Sequence, residues 1–186
     1  MDRKRVIIVT DGDMAAKAAV EKATENIGGL CISASAGNPT VLTGKEIILM
    51  IKQADHDPVV VMADDKGAVG KGSGEQAMEA ILGCGDIKVL GIVAVSSNGK
   101  DCYGLKVNCS VNRYGEVTYT AVNKNGENLD TDKICGDTLS ILKSRDDLFI
   151  VGIGDPGKML FSDDVLAGSP ITTKAFKLIL EHNGIL

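Results

Sequence analysis

Three apolar segments each run straight into aspartate, and that pattern constrains the fold more than any other feature of the chain. Val6-Ile7-Ile8-Val9 leads into Thr10-Asp11-Gly12-Asp13, and Val59-Val60-Val61-Met62 leads into Ala63-Asp64-Asp65. Phe149-Ile150-Val151 leads into Gly152-Ile153-Gly154-Asp155. A strand covered by helices on both faces reads as an unbroken apolar run, so these segments predict a mainly parallel sheet inside an α/β sandwich. In such a sheet, ligands bind beyond the carboxyl ends of the strands. If the strands run parallel, Asp11, Asp13, Asp64, Asp65 and Asp155 gather on one rim.

The intervening sequence supports that reading. Asp13 is placed to cap a helix whose apolar positions are Ala16, Val20, Ala23 and Ile27, stopped by Gly28-Gly29. Leu30 to Ala34 reads as a second strand, and Gly37-Asn38-Pro39 as a turn. Thr43-Gly44-Lys45-Glu46 has the form of a capping box and opens a helix that ends before His56-Asp57-Pro58. Ser73-Gly74-Glu75-Gln76 has the same form and opens a third helix, with strand four at Val89 to Val95. Beyond Ser96 the pattern changes. Leu105, Val107, Cys109 and Val111 alternate with polar residues, as do Val117, Tyr119 and Ala121. This predicts an antiparallel β-hairpin with one wet face, inserted at about 97–133 into one domain spanning 1–186. A short helix over 137–143 should lead back to the strand before Asp155. Ser169-Pro170 predicts the start of a last helix with Ile171, Ala175, Leu178 and Ile179 inward. The expected architecture is a three-layer α/β sandwich with a mainly parallel sheet.

Composition narrows the function. The 186 residues carry a net charge of -5, with aromatics at 3% and no Trp. An acidic chain this poor in stacking side chains is not built to bind nucleic acid. No apolar stretch approaches the ~20 residues of a membrane helix. Arg3-Lys4-Arg5 precedes an apolar run, but Asp11 and Asp13 break it too early for a signal peptide, so the chain is expected to be soluble. The five cysteines form no CxxC pair, and a reducing compartment accounts for them most simply.

The motifs leave two ligand sites to consider. Carboxylate oxygens suit hard cations, so the five rim aspartates are candidate ligands for calcium or magnesium. Carboxylates gathered so closely repel one another, which favours a bound cation or raised pKa values. The competing local reading has Asp13 capping its helix and Asp64-Asp65 turning with Gly67. Lys66, Gly70, Lys71, Gly72 and Gly74 make a glycine-rich loop before a helix start, where free N–H groups attract anions. Gly152 to Gly157 spells GxGxxG but lacks the following β-α-β unit of a dinucleotide site. Gly152 to Lys158 also spells GxxxxGK, with Met159 where a magnesium-binding Ser or Thr would stand. Gly154, Gly157 and Lys158 remain candidate ligand-binding residues on that basis. No nucleophile–base pair is recognisable, so the chain reads as non-enzymatic. Magnesium-dependent phosphoryl transfer or nucleotide binding by the strand-end aspartates is the alternative.

Taken together, several stretches resemble one family. They are Val9-Thr10-Asp11-Gly12-Asp13, Gly37-Asn38-Pro39-Thr40, Leu42-Thr43-Gly44 and His56-Asp57-Pro58-Val59. Asp64-Asp65, Gly70 to Glu75, Val89-Leu90-Gly91, Gly152 to Asp155, Gly157-Lys158-Met159 and Gly168-Ser169-Pro170-Ile171-Thr172 complete the set. The chain resembles the soluble form of the stage V sporulation protein AE family, within the SpoVA proteins of endospore-forming bacteria. The resemblance implies a part in moving dipicolinic acid, as its calcium chelate, into and out of the spore. It also implies a place peripheral to the spore inner membrane beside other SpoVA proteins, and it carries over no catalytic residues. Self-association into a homo-oligomer is left open by the sequence.

Overall fold

The computed structural model describes residues 3–67, 71–97, 104–136 and 138–186. Strand β1 (Lys4–Val9) is followed by α1 (Met14–Asn26), β2 (Leu30–Cys31), α2 (Gly44–Gln53), β3 (Val59–Met62), α3 (Ser73–Leu82) and β4 (Ile87–Val95). The second half holds β5 (Leu105–Lys106), β6 (Cys109–Val111), β7 (Val117–Thr118), β8 (Lys133–Ile134), β9 (Ile150–Ile153) and α4 (Pro170–His182). Seven strands form one sheet in the order β2-β3-β1-β4-β9-β6-β7, while β5 and β8 make a small antiparallel pair. All neighbours in the main sheet are parallel except β6 and β7.

The period-two alternation of β1 divides the core into two layers. Val6 and Ile8 face α2 and α3, where Ile47, Ile51, Met78 and Ile81 meet them. Ile7 and Val9 face α1 and α4, where Val20, Ala23, Phe176 and Ile179 meet them. Helices therefore cover both sides of the sheet, the three-layer α/β arrangement that the apolar runs predict. Fully burying a Val, Ile or Phe side chain is worth roughly 1.5–3 kcal/mol, so these two layers supply most of the folding drive.

Helix starts differ in how local they are. Asp13 caps α1 as expected, its Oδ1 accepting from the Ala16 N–H at 2.8 Å. The capping box of α2 is complete, with Thr43 Oγ1 accepting from Glu46 N–H and Glu46 Oε2 accepting from Thr43 N–H at 2.7 Å. Replacing Thr43 by alanine should cost about 1 kcal/mol in urea unfolding. The second capping box does not form. The N-cap of α3 is Gly72, and Ser73 lies inside the helix with its hydroxyl on Thr40 O. Ser169 precedes Pro170 as expected but makes no side-chain cap, because Asp163 accepts from the Ile171 and Thr172 amides at 2.7 and 3.0 Å.

Three further expectations are corrected. The second strand stops at Cys31, because Ser35 turns inward and its hydroxyl accepts the Met62 N–H at 2.8 Å. The helix expected over 137–143 is a single 3-10 turn at Ser140–Leu142; Asp137 lies outside the described residues. The antiparallel hairpin forms as β6 and β7, but less of it is wet than expected. Strand β6 pairs parallel with β9 and is buried at all three positions, so the wet face is confined to β7. Gly152 explains the burial: a Cβ there would sit 2.6 Å from Ser110 Oγ, so its absence gives the hydroxyl room between strands. Cys31, Cys84 and Cys109 are free, and Cys135 is disulfide-bonded.

Candidate functional site: an acidic crevice at the strand ends

The register aligns the carboxyl ends of the central strands. Val9 lies opposite both Met62 and Val93, and Val95 lies opposite Ile153. From β1 the chain crosses toward β2, at one edge of the sheet, and from β4 it continues toward the other edge. The switch point lies between β1 and β4, where open α/β sheets form their ligand crevice. Asp11 and Asp13 leave β1 there, and Asp155 leaves β9 one strand further on.

Hydroxyls and glycines shape this rim. Thr10 Oγ1 accepts the Val95 N–H at 3.0 Å, and Thr40 Oγ1 accepts the Asp64 N–H at 2.8 Å. The Gly37 N–H donates to Gly12 O at 2.9 Å, which brings the 36–40 loop onto the end of β1. A Cβ on Gly12 would lie 2.6 Å from Gly37 O, so only glycine permits that approach.

Three of the five predicted aspartates converge. Asp11, Asp13 and Asp155 each offer a carboxylate oxygen, and these atoms all lie within 4.8 Å of one another. Oxygens bound to one calcium at 2.3–2.6 Å can be at most about 5 Å apart, so the three can share a single ion. All three are half-buried. Burial, reinforced by the charges of Asp13, Asp64 and Asp155, pushes the Asp11 carboxyl up to about 7, although the Asp13 N–H on its Oδ1 opposes the shift. Burial raises Asp155 as well, with the Gly157 N–H pulling it back and Asp13 adding to the rise.

The other two predicted carboxylates do different work. Asp64 is buried beside the cluster, and its Oδ1 accepts the Lys66 N–H at 2.8 Å. Asp65 turns away to α3, where its Oδ1 accepts from Gly74 N–H at 2.6 Å and both oxygens lie 3.3 Å from Glu75 N. The amides at the start of α3 are thereby occupied by a carboxylate from the end of β3. Gly72 and Gly74 permit the approach, since a Cβ on either would fall within 2.6 Å of Asp65 or the Asp64 backbone. Lys66 is exposed at φ 53°, and Lys71 pairs with Glu79. Gly70 lies outside the described residues.

Backbone amides of the 154–158 loop are taken up by protein oxygens. The Asp155 N–H donates to Lys124 O, the Gly157 N–H to Asp155 Oδ1 and the Lys158 N–H to Asp155 O. Gly154 packs against the Gly126 amide and Met159, while Gly157 and Lys158 are exposed. Both histidines lie apart from the rim: His56 bonds Asp55, and His182 stacks on Phe149 with ring centroids 3.9 Å apart.

Two buried carboxylates escaped the sequence reading. Asp163 caps α4, and burial raises its pKa against the pull of the Thr172 hydroxyl and amide. Glu75, expected in a capping box, instead accepts from the Ser140 N–H and hydroxyl at 2.5 and 2.6 Å, tying α3 to the turn before β9. A buried acid within helical sequence was the available signal, but its partner 65 residues away was not.

Fold and rim together define a doubly wound α/β protein with three converging carboxylates at its switch point. The chain belongs to the stage V sporulation protein AE1 family, whose model matches residues 5–183. Membership gives it a role in stage V of sporulation. No curated protein and no solved structure matches the chain. Among the described residues, no helix is long and apolar enough to cross a membrane.

Proposed function

We propose that this chain is a non-enzymatic accessory component of the SpoVA machinery, which moves dipicolinic acid as its calcium chelate during sporulation and germination. The carrying observation is the family match, which runs over nearly the whole chain. The convergence of Asp11, Asp13 and Asp155 supports a role in handling the cation of that cargo. On this reading Lys66, exposed beside Asp64 on the same rim, offers a cation to a dicarboxylate. Attachment to the inner membrane then comes through other SpoVA proteins.

Affinity purification from spore membranes in mild detergent should recover other SpoVA subunits; a clean failure would sink the accessory role. The cation site is tested separately by thermal shift with calcium, magnesium, dipicolinate, calcium dipicolinate and nucleotides. A ligand confined to the native state adds about 2.7 kcal/mol at a hundred times its dissociation constant. Calcium, alone or chelated, should raise the melting temperature of the parent chain but not of Asp155→Asn. Magnesium-dependent phosphoryl transfer draws on the same three carboxylates, and a shift seen only with magnesium and nucleotide together would favour it.

A further inference from the structure

A cavity opens at the amino end of β9, at the other end of that strand from Asp155. Its volume is about 630 Å³, and small-molecule sites run roughly 300–1,000 Å³. Strand β5 and Asp132, just before β8, form one wall, and the turn from Leu142 to Leu148 forms the other. Leu105, Val107, Leu142, Leu148 and Ile150 make an apolar floor, each of them buried.

The charged groups at the mouth are Lys106, Lys143 and Arg145 against Asp132 and Asp146. Cations outnumber acids here, although the whole chain carries a net charge of -5. Lys106 lies 3.7 Å from Asp132, so Asp146 is the opposing carboxylate. Two side chains are held in place to donate. Asp147 takes Nε and Nη2 of Arg145 at 2.7 and 2.8 Å, along one edge of the guanidinium. The edge formed by Nη1 and Nη2 stays open, and such an edge meets a carboxylate with two parallel hydrogen bonds. Asn108 Oδ1 accepts the Ile150 N–H at 2.7 Å, which orients the amide and leaves both hydrogens of Nδ2 to donate.

We infer that this cavity binds a small organic carboxylate with an apolar body. The carboxylate takes the open edge of Arg145 and the Asn108 amide, and the body lies on the apolar floor. Asp147 and β9 already fix these two donors, so binding loses little side-chain freedom. Asp146 opposes the ligand's charge, a penalty that a neutral side chain would relieve. The inference is independent of the transport reading and of the carboxylates at the strand ends.

Titration of the full chain with hexanoate in EDTA, followed by backbone amide NMR, tests it. Saturable shifts are expected at residues 105–108 and 142–150, and none at 10–13 or 154–157. The chelator keeps any cation at the strand ends from drawing the probe. Hexanamide, which lacks the charge, and acetate, which lacks the body, should each bind about tenfold more weakly. Arg145→Gln should weaken hexanoate about tenfold, and Asp146→Asn should tighten it about threefold. Asn108→Asp keeps an acceptor for the Ile150 N–H but replaces the donors with a negative charge, so it should also weaken binding about tenfold. That variant keeps the test decisive should loss of the Arg145–Asp147 pair disturb the fold. Unsaturable shifts, shifts at the strand ends, or hexanamide binding as well as hexanoate would overturn the inference. So would Arg145→Gln or Asn108→Asp binding like the parent, or Asp146→Asn binding more weakly.

Discussion

At pH 8 in the presence of a chelator, Asp11→Asn is expected to be more stable than the parent chain by ~2–4 kcal/mol, and near pH 4 the two should nearly coincide. The folded pKa of Asp11 is raised from 3.8 to about 7, mainly by burial. Between those values the native state holds a proton that the unfolded chain has released. Stability from this group is therefore full below the unfolded value and is lost as pH rises through about 7. A rise of about three pH units corresponds to ~4 kcal/mol at most, since one unit is worth ~1.4 kcal/mol. Asparagine mimics the protonated acid and keeps an oxygen for the Asp13 N–H, which lies 3.1 Å from Asp11 Oδ1. The raised carboxyls of Asp155 and Asp163 shift stability in the same direction, but both proteins contain them, so the difference between variants isolates Asp11. Urea unfolding across pH 4–8 measures it. Equal slopes for the two proteins would show that Asp11 is not held in a strained ionised state. Saturating calcium should reverse the order at pH 8, because a bound cation rewards the charge that burial penalises.

The helix caps and the sheet were legible in the sequence to different degrees. Asp13 and Thr43 cap helices three residues away, and such short-range signals are written in adjacent residues. The apolar runs of β1, β3 and β9 reveal the parallel sheet, because continuous burial leaves no polar face to encode. Asp163 and Asp65 also cap helices, but from eight and nine residues upstream across a turn. Nothing in the spacing distinguishes Asp65 from Asp64, the rim aspartate beside it. The rim therefore looked like five equivalent carboxylates, whereas folding sends three together and gives Asp65 to α3. Strand β6 misled for a related reason. Ser110 reads as the polar half of an alternation, yet Gly152 opposite makes room for it inside the sheet.

Asp65→Ala should be the most damaging single substitution at the rim, lowering stability by about 4 kcal/mol. The residue is buried, and its carboxylate serves Gly74 N–H at 2.6 Å and Glu75 N–H at 3.3 Å. Removal strands two buried donors at the start of α3, each costing roughly 1–3 kcal/mol. No nearby side chain can substitute, because the N-cap residue is Gly72. Asp65→Asn keeps an acceptor and loses only the charge, so it should cost about half as much. Gly74→Ala provides an independent route to the same defect. Its Cβ would stand 2.6–2.7 Å from the Asp64 backbone N, C and O, and two packed backbones can separate only by shifting α3 off the strand end. Helix α3 also carries Glu75, whose hold on Ser140 braces the turn before β9, so the damage should spread to the Asp155 side of the crevice. Hydrogen exchange would report that spread as lost protection in both α3 and β9. The chemical contrast is with the cluster itself. Folded Asp65→Asn should keep the calcium response that Asp155→Asn loses, since only Asp155 of the two points an oxygen at the shared position. Equal loss in both variants would mean that the cation is held by the whole rim rather than by three of its members.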